Sequence, residues 1–243
     1  LKILIWQFKL MNKNIGIIIQ ARTGSKRLPK KILKKILPEK NFLDYLISRI
    51  KRSKKNQKII IATSNKKSDN QITNIKSKKI YFFRGSEKNV LKRYIDAAEK
   101  FHIKNIVRIT ADCPFVDPKI IDKFINKYFI GNFNYVSNVN PPSFPNGFDV
   151  EIVSLKLLKK SFEIFKDNMN KEHVTHAIRK NKLNKYLKIK SFNFKNSKNL
   201  NHIRLTLDNQ KDLKKIRKLA KHIDIADSWK SIYLKNIIIN NEK

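Results

Sequence analysis

The segment from Gln20 to Lys31, QARTGSKRLPKK, combines residue types that can bind a polyphosphate. Arg22, Arg27 and Lys31 could neutralise phosphate oxygens, and Gly24 could let backbone N–H groups approach them closely. The segment lacks the Gly-Lys-Ser/Thr of a P-loop and the Gly-x-Gly of a dinucleotide site. A solvated basic loop is the alternative interpretation, because lysine is abundant throughout the chain.

Two aspartates could supply the ligands of a magnesium ion. Asp112 lies at the end of a predicted strand in TADCP, and Asp208 in LTLDN is the natural second ligand. Mg²⁺ prefers oxygen ligands and is commonly held by one or two carboxylates together with substrate phosphates. Each aspartate also has a simpler interpretation. Asp112 could cap the turn before Pro114, and Asp208 could be the N-cap of the following helix.

Other polar groups carry weaker signals. Asp149 and Glu151 alternate along a predicted strand, so they would share one face and could bind a ligand there. His173 and His176 are spaced i, i+3, but no third ligand for a metal accompanies them. Cys113 has no identifiable activating partner, so we interpret it as a small packed residue.

The first half of the chain contains the elements that must position these groups. Apolar runs predict four buried strands, and helical patterns lie between them. The predicted strands are Ile15–Ile19, Ile59–Ala62, Ile80–Phe83 and Ile106–Ile109. The predicted helices are Phe42–Ile50, Ser86–Phe101 and Asp117–Ile130. This alternation indicates an α/β fold with a doubly wound, mostly parallel sheet. Ligands of such sheets bind at the carboxyl ends of the strands, in loops beginning at Gln20, Thr63, Arg84 and Thr110.

The second half of the chain is less regular. Its pattern predicts strands at Phe148–Val153, Tyr186–Phe194 and His202–Leu207, with helices at Leu155–Phe165, Lys171–Lys180 and Asn209–His222. We expect one domain over residues 14–243 with a small inserted acceptor-side subregion. Residues 1–13 look peripheral and are consistent with a misassigned start, because Met11 could begin the protein.

The charge of the chain suggests a polyanionic partner, but its composition argues against nucleic acid. There are 243 residues, with 55 Lys and Arg against 19 Asp and Glu, for a net charge of +36. Lysine accounts for 45 of these cations and arginine for only 10. Lys, Ile and Asn share AT-rich codons, so codon bias explains the excess, and a nucleic-acid reader would use more arginine. No apolar run is long enough to span a bilayer, and one cysteine excludes an internal disulfide. We therefore expect a cytoplasmic protein.

The loop after the first strand resembles the signature of the cytidylyltransferases that make CMP-sugars. The matching pattern is Ala21-Arg22-x-x-Ser25-x-Arg27-Leu28-Pro29-x-Lys31. The family includes the CMP-Kdo and CMP-sialic acid synthetases, and the spore-coat polysaccharide branch is especially similar. Six further motifs follow in the family's order: Ile61–Ser64, Phe83–Ser86 with Val90–Tyr94, Arg108–Pro114, Gly147–Glu151, Glu172–Thr175 and Arg204–Asp208. They cover about residues 14–217. One departure is Asn65, where the family commonly has an acidic residue.

The resemblance implies a Rossmann-like nucleotide-diphospho-sugar transferase fold and a role for each motif. It implies that Arg22, Lys31 and Asp112 are catalytic and that Asp112 and Asp208 hold Mg²⁺. The nucleotide site it implies comprises Ala21, Arg22, Gly24, Ser25, Arg27, Lys31, Thr63, Ser64, Arg84, Gly85, Ser86 and Arg93. The acceptor site it implies comprises Gly147, Asp149, Glu151 and His173. The small subregion would also be the place of dimerisation, so a homodimer is possible.

The resulting hypothesis is an enzyme that transfers CMP from CTP to a sugar acid with release of pyrophosphate. The expected acceptor is a 2-keto sugar used in surface polysaccharide biosynthesis. Two alternatives remain open. One is a nucleotidyltransferase or glycosyltransferase of the same fold that uses another nucleotide, because fold alone does not identify the reaction. The other is a basic nucleic-acid-binding protein, which would show a steep salt dependence of binding.

Overall fold

A computed structural model describes residues 14–55, 58–75 and 79–241. The peripheral segment 1–13 lies outside the described residues. The helices and strands run as follows: β1 Ile15–Gln20, β2 Lys35–Leu37, β3 Lys40–Asn41, α1 Phe42–Ile50, β4 Ile59–Ser64, α2 Asn70–Thr73, β5 Ile80–Gly85, α3 Val90–Lys100, β6 Asn105–Thr110, α4 Pro118–Ile130, β7 Tyr135–Ser137, β8 Glu151–Ser154, α5 Leu155–Ile164, α6 Asn168–Glu172, α7 His176–Arg179, β9 Ser191–Asn193, α8 Gln210–Ala220 and α9 Trp229–Asn241.

A seven-stranded sheet in the order β5-β4-β1-β6-β8-β7-β9 forms the centre of the described chain. β5, β4, β1 and β6 are parallel neighbours, as the apolar runs predict. β8 runs antiparallel to both β6 and β7, whereas β9 is parallel to β7. The expected doubly wound, mostly parallel α/β sheet is therefore confirmed, and its antiparallel pairs are confined to the second half.

Two hydrophobic cores lie on opposite faces of this sheet. Side chains alternate along β1, so Ile17 and Ile19 pack in one core while Ile18 packs in the other. The first core is covered by α1, α4, α8 and α9, and the second by α3, α5 and the segment around Val174. Because both faces are covered, the parallel strands are apolar throughout, and polar groups collect at the strand ends.

Several predicted elements differ in the structure. The segment Lys171–Lys180 does not form one helix but two short ones, α6 and α7, interrupted at His173–Thr175. Val174 and Thr175, at the break between the two helices, are both buried. Of Tyr186–Phe194 only β9 is a strand, and His202–Leu207 contributes an isolated bridge at Arg204.

The last helix, α9, follows α8 and lacks a strong sequence signal. Arg49 of α1 holds the segment before it, because its guanidinium donates to the carbonyls of Val116, Ile225 and Asp227 at 3.2, 2.9 and 2.7 Å. Arg49 is fully buried, so these neutral acceptors take the place of a carboxylate partner. Within the described residues, no helix is long and apolar enough to cross a membrane.

Candidate functional site

A cleft of about 560 Å³ opens at the carboxyl ends of β1 and β6. Its volume lies within the range typical of small-molecule sites, roughly 300–1,000 Å³. The loop after β1 forms one wall, the turn after β6 forms the floor, and the end of α6 forms the other wall. The lining residues are Gln20, Arg22, Gly24, Ser25, Lys26, Arg27, Lys31, Ile32, Glu87, Thr110, Ala111, Asp112, Glu172, His173 and Asp208.

The loop between β1 and Lys31 is shaped by its own backbone. The carbonyl of Thr23 accepts hydrogen bonds from the N–H groups of Ser25 at 2.9 Å and Lys30 at 3.0 Å. Lys30 adopts a left-handed conformation, φ 52°, and a 3-10 turn begins at Lys31. At Gly24, an added Cβ would have only Glu87 Oε1 nearby, at 3.6 Å, so the space above this glycine is open.

Lys31 is the centre of the charged groups in the cleft. Its ammonium donates to Asp112 Oδ2 at 3.0 Å, to Asp208 Oδ1 at 2.8 Å and to the carbonyl of Leu207 at 2.7 Å. The side chain of Lys31 is 13% exposed, against 32% for Asp112. Two chain segments that are distant in sequence, at Asp112 and at Leu207–Asp208, therefore place three oxygen atoms around the ammonium of Lys31.

Backbone contacts explain why Asp208 lies beside Asp112. The N–H of Leu207 donates to the carbonyl of Asp112 at 2.8 Å, which fixes the two segments side by side. The N-cap of α8 is Asn209, which forms a capping box with Asp212. The alternative interpretation of Asp208 as the N-cap is therefore wrong, and its carboxylate is free to face the cleft.

The charges around this centre reinforce one another. Burial alone would lower the pKa of Lys31, but Asp112 and Asp208 outweigh it and raise the pKa above its usual value. Burial would raise the pKa of Asp208, yet the hydrogen bond from Lys31 and the charges of Arg204 and Arg27 lower it. Arg27 lies 3.4 Å from Asp208, and Arg204 also pairs with it. Lys31 and Asp208 are therefore both ionised at neutral pH.

The donor set around Lys31 fits a divalent cation that prefers oxygen. Carboxylates of Asp112 and Asp208 and the carbonyl of Leu207 already converge on a positive centre within 3.0 Å. The described ranges contain no cluster of three or more His, Cys, Asp and Glu residues that could hold a metal by themselves. Two carboxylates with added phosphate oxygens are the arrangement expected for Mg²⁺.

A second cleft of about 380 Å³ adjoins the first and shares Arg22, Glu87 and Glu172 with it. Arg22 and Glu172 face each other across the opening at 3.9 Å, and both are well exposed. His173, which the resemblance assigns to the acceptor, is exposed at the end of α6 and lines the larger cleft. The two clefts together leave space beside the cationic loop for a second ligand.

Several residues expected at the nucleotide lie behind the cleft rather than on its surface. Thr63 and Ser64 are fully buried, and both donate to the carboxylate of Asp69. Ala21 is likewise buried, and its N–H donates to the carbonyl of Ala62. These residues form the support of the loop, because they end adjacent strands beneath it.

The residues after β5 also differ from the expectation. Arg84 donates to the carbonyls of Ser64 and Lys66 and to Asn70 Oδ1, so it clamps the turn after β4. Arg93 is fully buried and donates to the carbonyl of Ser86 at 2.5 Å, so it is not an exposed helix cation.

Glycine and serine in the same motif have local roles. A Cβ at Gly85 would meet the Phe83 ring at 2.8 Å, so packing requires the glycine. Ser86 is exposed, and its hydroxyl accepts from the N–H of Asn89, which is the N-cap of α3. The helix therefore begins at Val90, later than predicted.

The expected acceptor group is divided between two environments. Glu151 is buried and accepts from Arg108 at 2.6 Å, from Thr175 at 2.6 Å and from the hydroxyl of Tyr135. The structure corrects the expectation that Glu151 faces the cleft, because its carboxylate is buried and pairs with the partly exposed Arg108. Asp149 is partly exposed, and burial together with the nearby Glu151 charge raises its pKa to about 6.

Gly147 has a conformational role in this segment. Its φ of +117° is unfavourable for other residues, and a Cβ would lie 2.8 Å from the carbonyl oxygen of Leu205. The neighbouring Asn146 pairs with Ile203 and Leu205 through backbone hydrogen bonds. Gly147 thus allows the segment before Asp208 to approach closely.

Sequence reasoning missed three polar residues of this region. Asp69 supports the loop, Arg204 pairs with Asp208, and Glu87 lines both clefts. Arg204 and Asp208 lie in one motif, but the sequence does not show that their side chains pair. Asp69 lies four residues after Asn65, the position at which the family commonly has an acidic residue. The missing acidic residue at Asn65 is the sequence signal that could have drawn attention to Asp69.

Comparison with known proteins gives a consistent family. A family model described as cytidylyltransferase matches residues 16–243. The Bacillus subtilis spore coat polysaccharide biosynthesis protein SpsF is 37% identical over 172 residues, which is 68% of this chain and 70% of that protein.

Solved structures agree on the fold. A cytidylyltransferase from Leptospira borgpetersenii superposes with a TM-score of 0.86 at 29% identity, over 95% of this chain and 96% of that one. A CMP:2-keto-3-deoxy-manno-octonic acid synthetase in complex with CTP has a TM-score of 0.64 at 14% identity, over 87% of this chain and 100% of that one. At that identity the second likeness concerns the fold alone.

Proposed function

The chain belongs to the cytidylyltransferase family and is a CTP-using nucleotidyltransferase, and from this premise we propose that it transfers CMP to a sugar acid. The proposed acceptor is a 2-keto sugar, and the product is a CMP-sugar used in polysaccharide biosynthesis. The likeness to the spore coat polysaccharide protein supports a sugar acceptor.

One observation carries the proposed site: the cationic loop and the pair Asp112 and Asp208 converge on Lys31 at the carboxyl ends of β1 and β6. A nucleoside triphosphate needs several cations around its phosphates and a cation at the reacting phosphorus. Arg22, Lys26 and Arg27 line the same cleft as Lys31. This arrangement supports binding of the triphosphate along the loop.

In the proposed reaction, an acceptor hydroxyl oxygen attacks the α-phosphorus of CTP in line. A new phosphorus–oxygen bond forms, the bond to the bridging oxygen breaks, pyrophosphate leaves and the hydroxyl proton passes to solvent. Arg22 and Lys31 neutralise the charge that develops on the leaving phosphates. Positioning of the two substrates can contribute roughly 7–11 kcal/mol to lowering the barrier. The acceptor would lie towards Asp149 and His173, beside the adjoining cleft.

Asp112 and Asp208 would hold the divalent ion, which when bound supplies positive charge to the phosphate oxygens. Lys31 already occupies the space between these carboxylates, so its ammonium competes with the ion for the same oxygens. Release of Lys31 from the carboxylates leaves the ammonium available for the phosphates. The cleft would therefore keep a cation at this point with and without substrate.

The test is release of pyrophosphate with each of CTP, UTP, ATP and GTP, measured with Mg²⁺ and a panel of keto-sugar acids. We expect release with CTP and at least one acid, and little release without an acceptor. Preference for another nucleotide would favour a different transferase of the same fold. Release from CTP only with neutral sugars or alcohols would overturn the sugar-acid assignment.

A further inference from the structure

Asp69 has an unusual set of contacts for a residue outside the cleft. Its carboxylate accepts five hydrogen bonds from three residues. Thr23 contributes its N–H at 2.8 Å and its hydroxyl at 2.6 Å, and Ser64 contributes its N–H at 3.2 Å and its hydroxyl at 2.5 Å. Thr63 donates its hydroxyl at 3.1 Å. The carboxylate thereby joins the loop after β1 to the end of β4.

These contacts are protected from water. Asp69, Thr23, Thr63 and Ser64 are all buried. Burial would raise the pKa of Asp69, but the hydrogen bonds from Ser64 and Thr23 lower it below its usual value. The carboxylate is therefore ionised, and both of its oxygens accept hydrogen bonds from Thr23, Thr63 or Ser64. It does not cap its own helix α2, since its side chain accepts no hydrogen bond from that helix.

Thr23 connects Asp69 to the loop that lines the cleft. Asp69 holds both the N–H and the hydroxyl of Thr23, while the carbonyl of Thr23 holds Ser25 and Lys30. Lys30 directly precedes Lys31, whose ammonium lies between the two cleft carboxylates. The buried carboxylate of Asp69 is thus connected through Thr23 to the loop residues that are expected to bind phosphate.

The turn that carries Asp69 is held from its other side. Arg84 donates to the carbonyls of Ser64 and Lys66 at 3.1 and 2.7 Å and to Asn70 Oδ1 at 2.5 Å. Asn70 is the residue after Asp69. Arg84 therefore restrains the same turn that Asp69 links to Thr23, and neither side chain lines the cleft.

We propose that Asp69 is a positioning residue for nucleotide binding, which acts through Thr23 to hold the loop of residues 21–31 in its phosphate-binding shape. The inference rests on the proposed triphosphate site along this loop. Replacement of Asp69 by Asn places an amide N–H₂ group against donors from Thr23 or Ser64, so at least one of them loses its acceptor. The loop should then sample other conformations without losing any cleft residue.

The experiment measures two properties of Asp69→Asn. Hydrogen–deuterium exchange of the nucleotide-free protein reports the order of residues 21–31, and calorimetry reports the affinity for CTP with Mg²⁺. We expect faster exchange in that loop and an affinity lower by roughly 10- to 100-fold, since small misplacements of binding groups have effects of this size. Thr23→Val keeps the shape of the side chain and the N–H bond, so we expect a smaller loss, about fivefold.

Asp117→Asn is the matched control. Asp117 is also buried and accepts from the N–H groups of Lys119 at 2.7 Å and Trp229 at 2.8 Å, but it does not line the cleft. It should lower stability while CTP affinity and exchange of residues 21–31 remain as in the wild type. An equal loss of CTP affinity in Asp117→Asn would show that Asp69 acts only through general stability.

Normal exchange and normal CTP affinity in both Asp69→Asn and Thr23→Val would overturn the inference. If Asp69→Asn does not fold, Thr23→Val decides the question by itself. Failure of the proposed function has a different signature. In that case the wild type would not bind CTP, while exchange of the loop would still respond to Asp69→Asn.

Discussion

Two ion-pair centres lie near the end of β6, and they differ in how far their carboxylates are exposed to solvent. The open centre places Lys31 between Asp112 and Asp208 at the edge of the cleft. The closed centre pairs Arg108 with Glu151 beneath it, and Glu151 is only 3% exposed. The open carboxylates share Lys31, and Asp208 also pairs with Arg27 and Arg204. Glu151 accepts from Arg108, Tyr135 and Thr175.

The difference separates a site that can exchange ligands from one that cannot. An open carboxylate can exchange Lys31 for a metal ion when the ammonium of Lys31, whose side chain is 13% exposed, pairs with a phosphate instead. Release of Arg108 from Glu151 would leave the buried Glu151 charge without its cation, which is strongly unfavourable. Residue type alone does not distinguish the two centres. The exposure of the carboxylates does, at 32% for Asp112 and 19% for Asp208 against 3% for Glu151.

The largest effect that tests this comparison is expected at the open centre. Asp112→Asn should lower turnover by roughly 10³-fold or more, since the charge that would hold the metal ion is lost. The stability should change little, because Asp112 is 32% exposed. Pyrophosphate release and thermal unfolding check the two parts. Asp96→Asn on α3 is the control, and normal turnover of Asp112→Asn would refute the metal assignment.

Lys31→Met should have the next largest effect, a loss of turnover of about 10²–10³-fold, as for removal of one pre-placed charge donor. The same variant should bind Mn²⁺ more tightly than the wild type when nucleotide is absent, because the competing ammonium is gone. Metal titration and pyrophosphate release measure these effects. Lys58→Met is the matched control, because Lys58 Nζ donates to the carbonyl of Phe101 and the side chain does not line the cleft. Unchanged Mn²⁺ affinity would exclude the competition.

At the closed centre the effect should fall on stability. Glu151→Gln leaves Arg108 without its negative partner, so we expect a loss of roughly 3 kcal/mol in the free energy of unfolding. Denaturant unfolding measures this loss. Turnover of the folded fraction should stay within about threefold if Glu151 has no contact with the acceptor. A selective rise in KM for the sugar acid would instead place Glu151 in the acceptor site.

The charges of both centres act on the pKa of Asp149, and we expect replacement of Asp149 to have the smallest effect on stability. The charges of Glu151 and Asp112 add to burial in raising its pKa to about 6. A raised carboxyl pKa favours folding below the ordinary value of 3.8 and loses that contribution as the pH rises through 6. Asp149→Asn should therefore increase the melting temperature at pH 8 relative to the wild type and have little effect at pH 3.5. The same increase at both pH values would contradict the assigned pKa.

Much of the fold follows from local sequence patterns. The apolar runs Ile15–Ile19 and Ile106–Ile109 indicate buried parallel strands, and the loops at their ends contain the cleft. Asp117-Pro118 marks the start of α4 correctly, since the side chain of Asp117 accepts from Lys119 N. The helix α9 is not predicted from the sequence. Arg49 fixes the segment before α9 through hydrogen bonds to backbone carbonyls that lie 67 or more residues away in the sequence.

The site is predictable in part for a similar reason. Motif spacing brings Lys31, Asp112 and Asp208 into consideration, and they meet in the structure. The spacing does not reveal whether a motif residue faces the cleft or supports it. Thr63 and Arg84 belong to motifs, yet their hydrogen bonds join neighbouring segments of the chain. That distinction depends on burial and partners, which only the three-dimensional arrangement provides.

The central claim is that the open centre and its loop bind CTP together with a divalent ion. Calorimetric titration with CTP, UTP, ATP and GTP, each with and without Mg²⁺, tests it most directly, with Asp208→Asn beside the wild type. We expect wild-type binding that prefers CTP and tightens with Mg²⁺, and loss of the Mg²⁺ dependence in Asp208→Asn. Equal binding of CTP with and without Mg²⁺, unchanged by Asp208→Asn, would contradict the account.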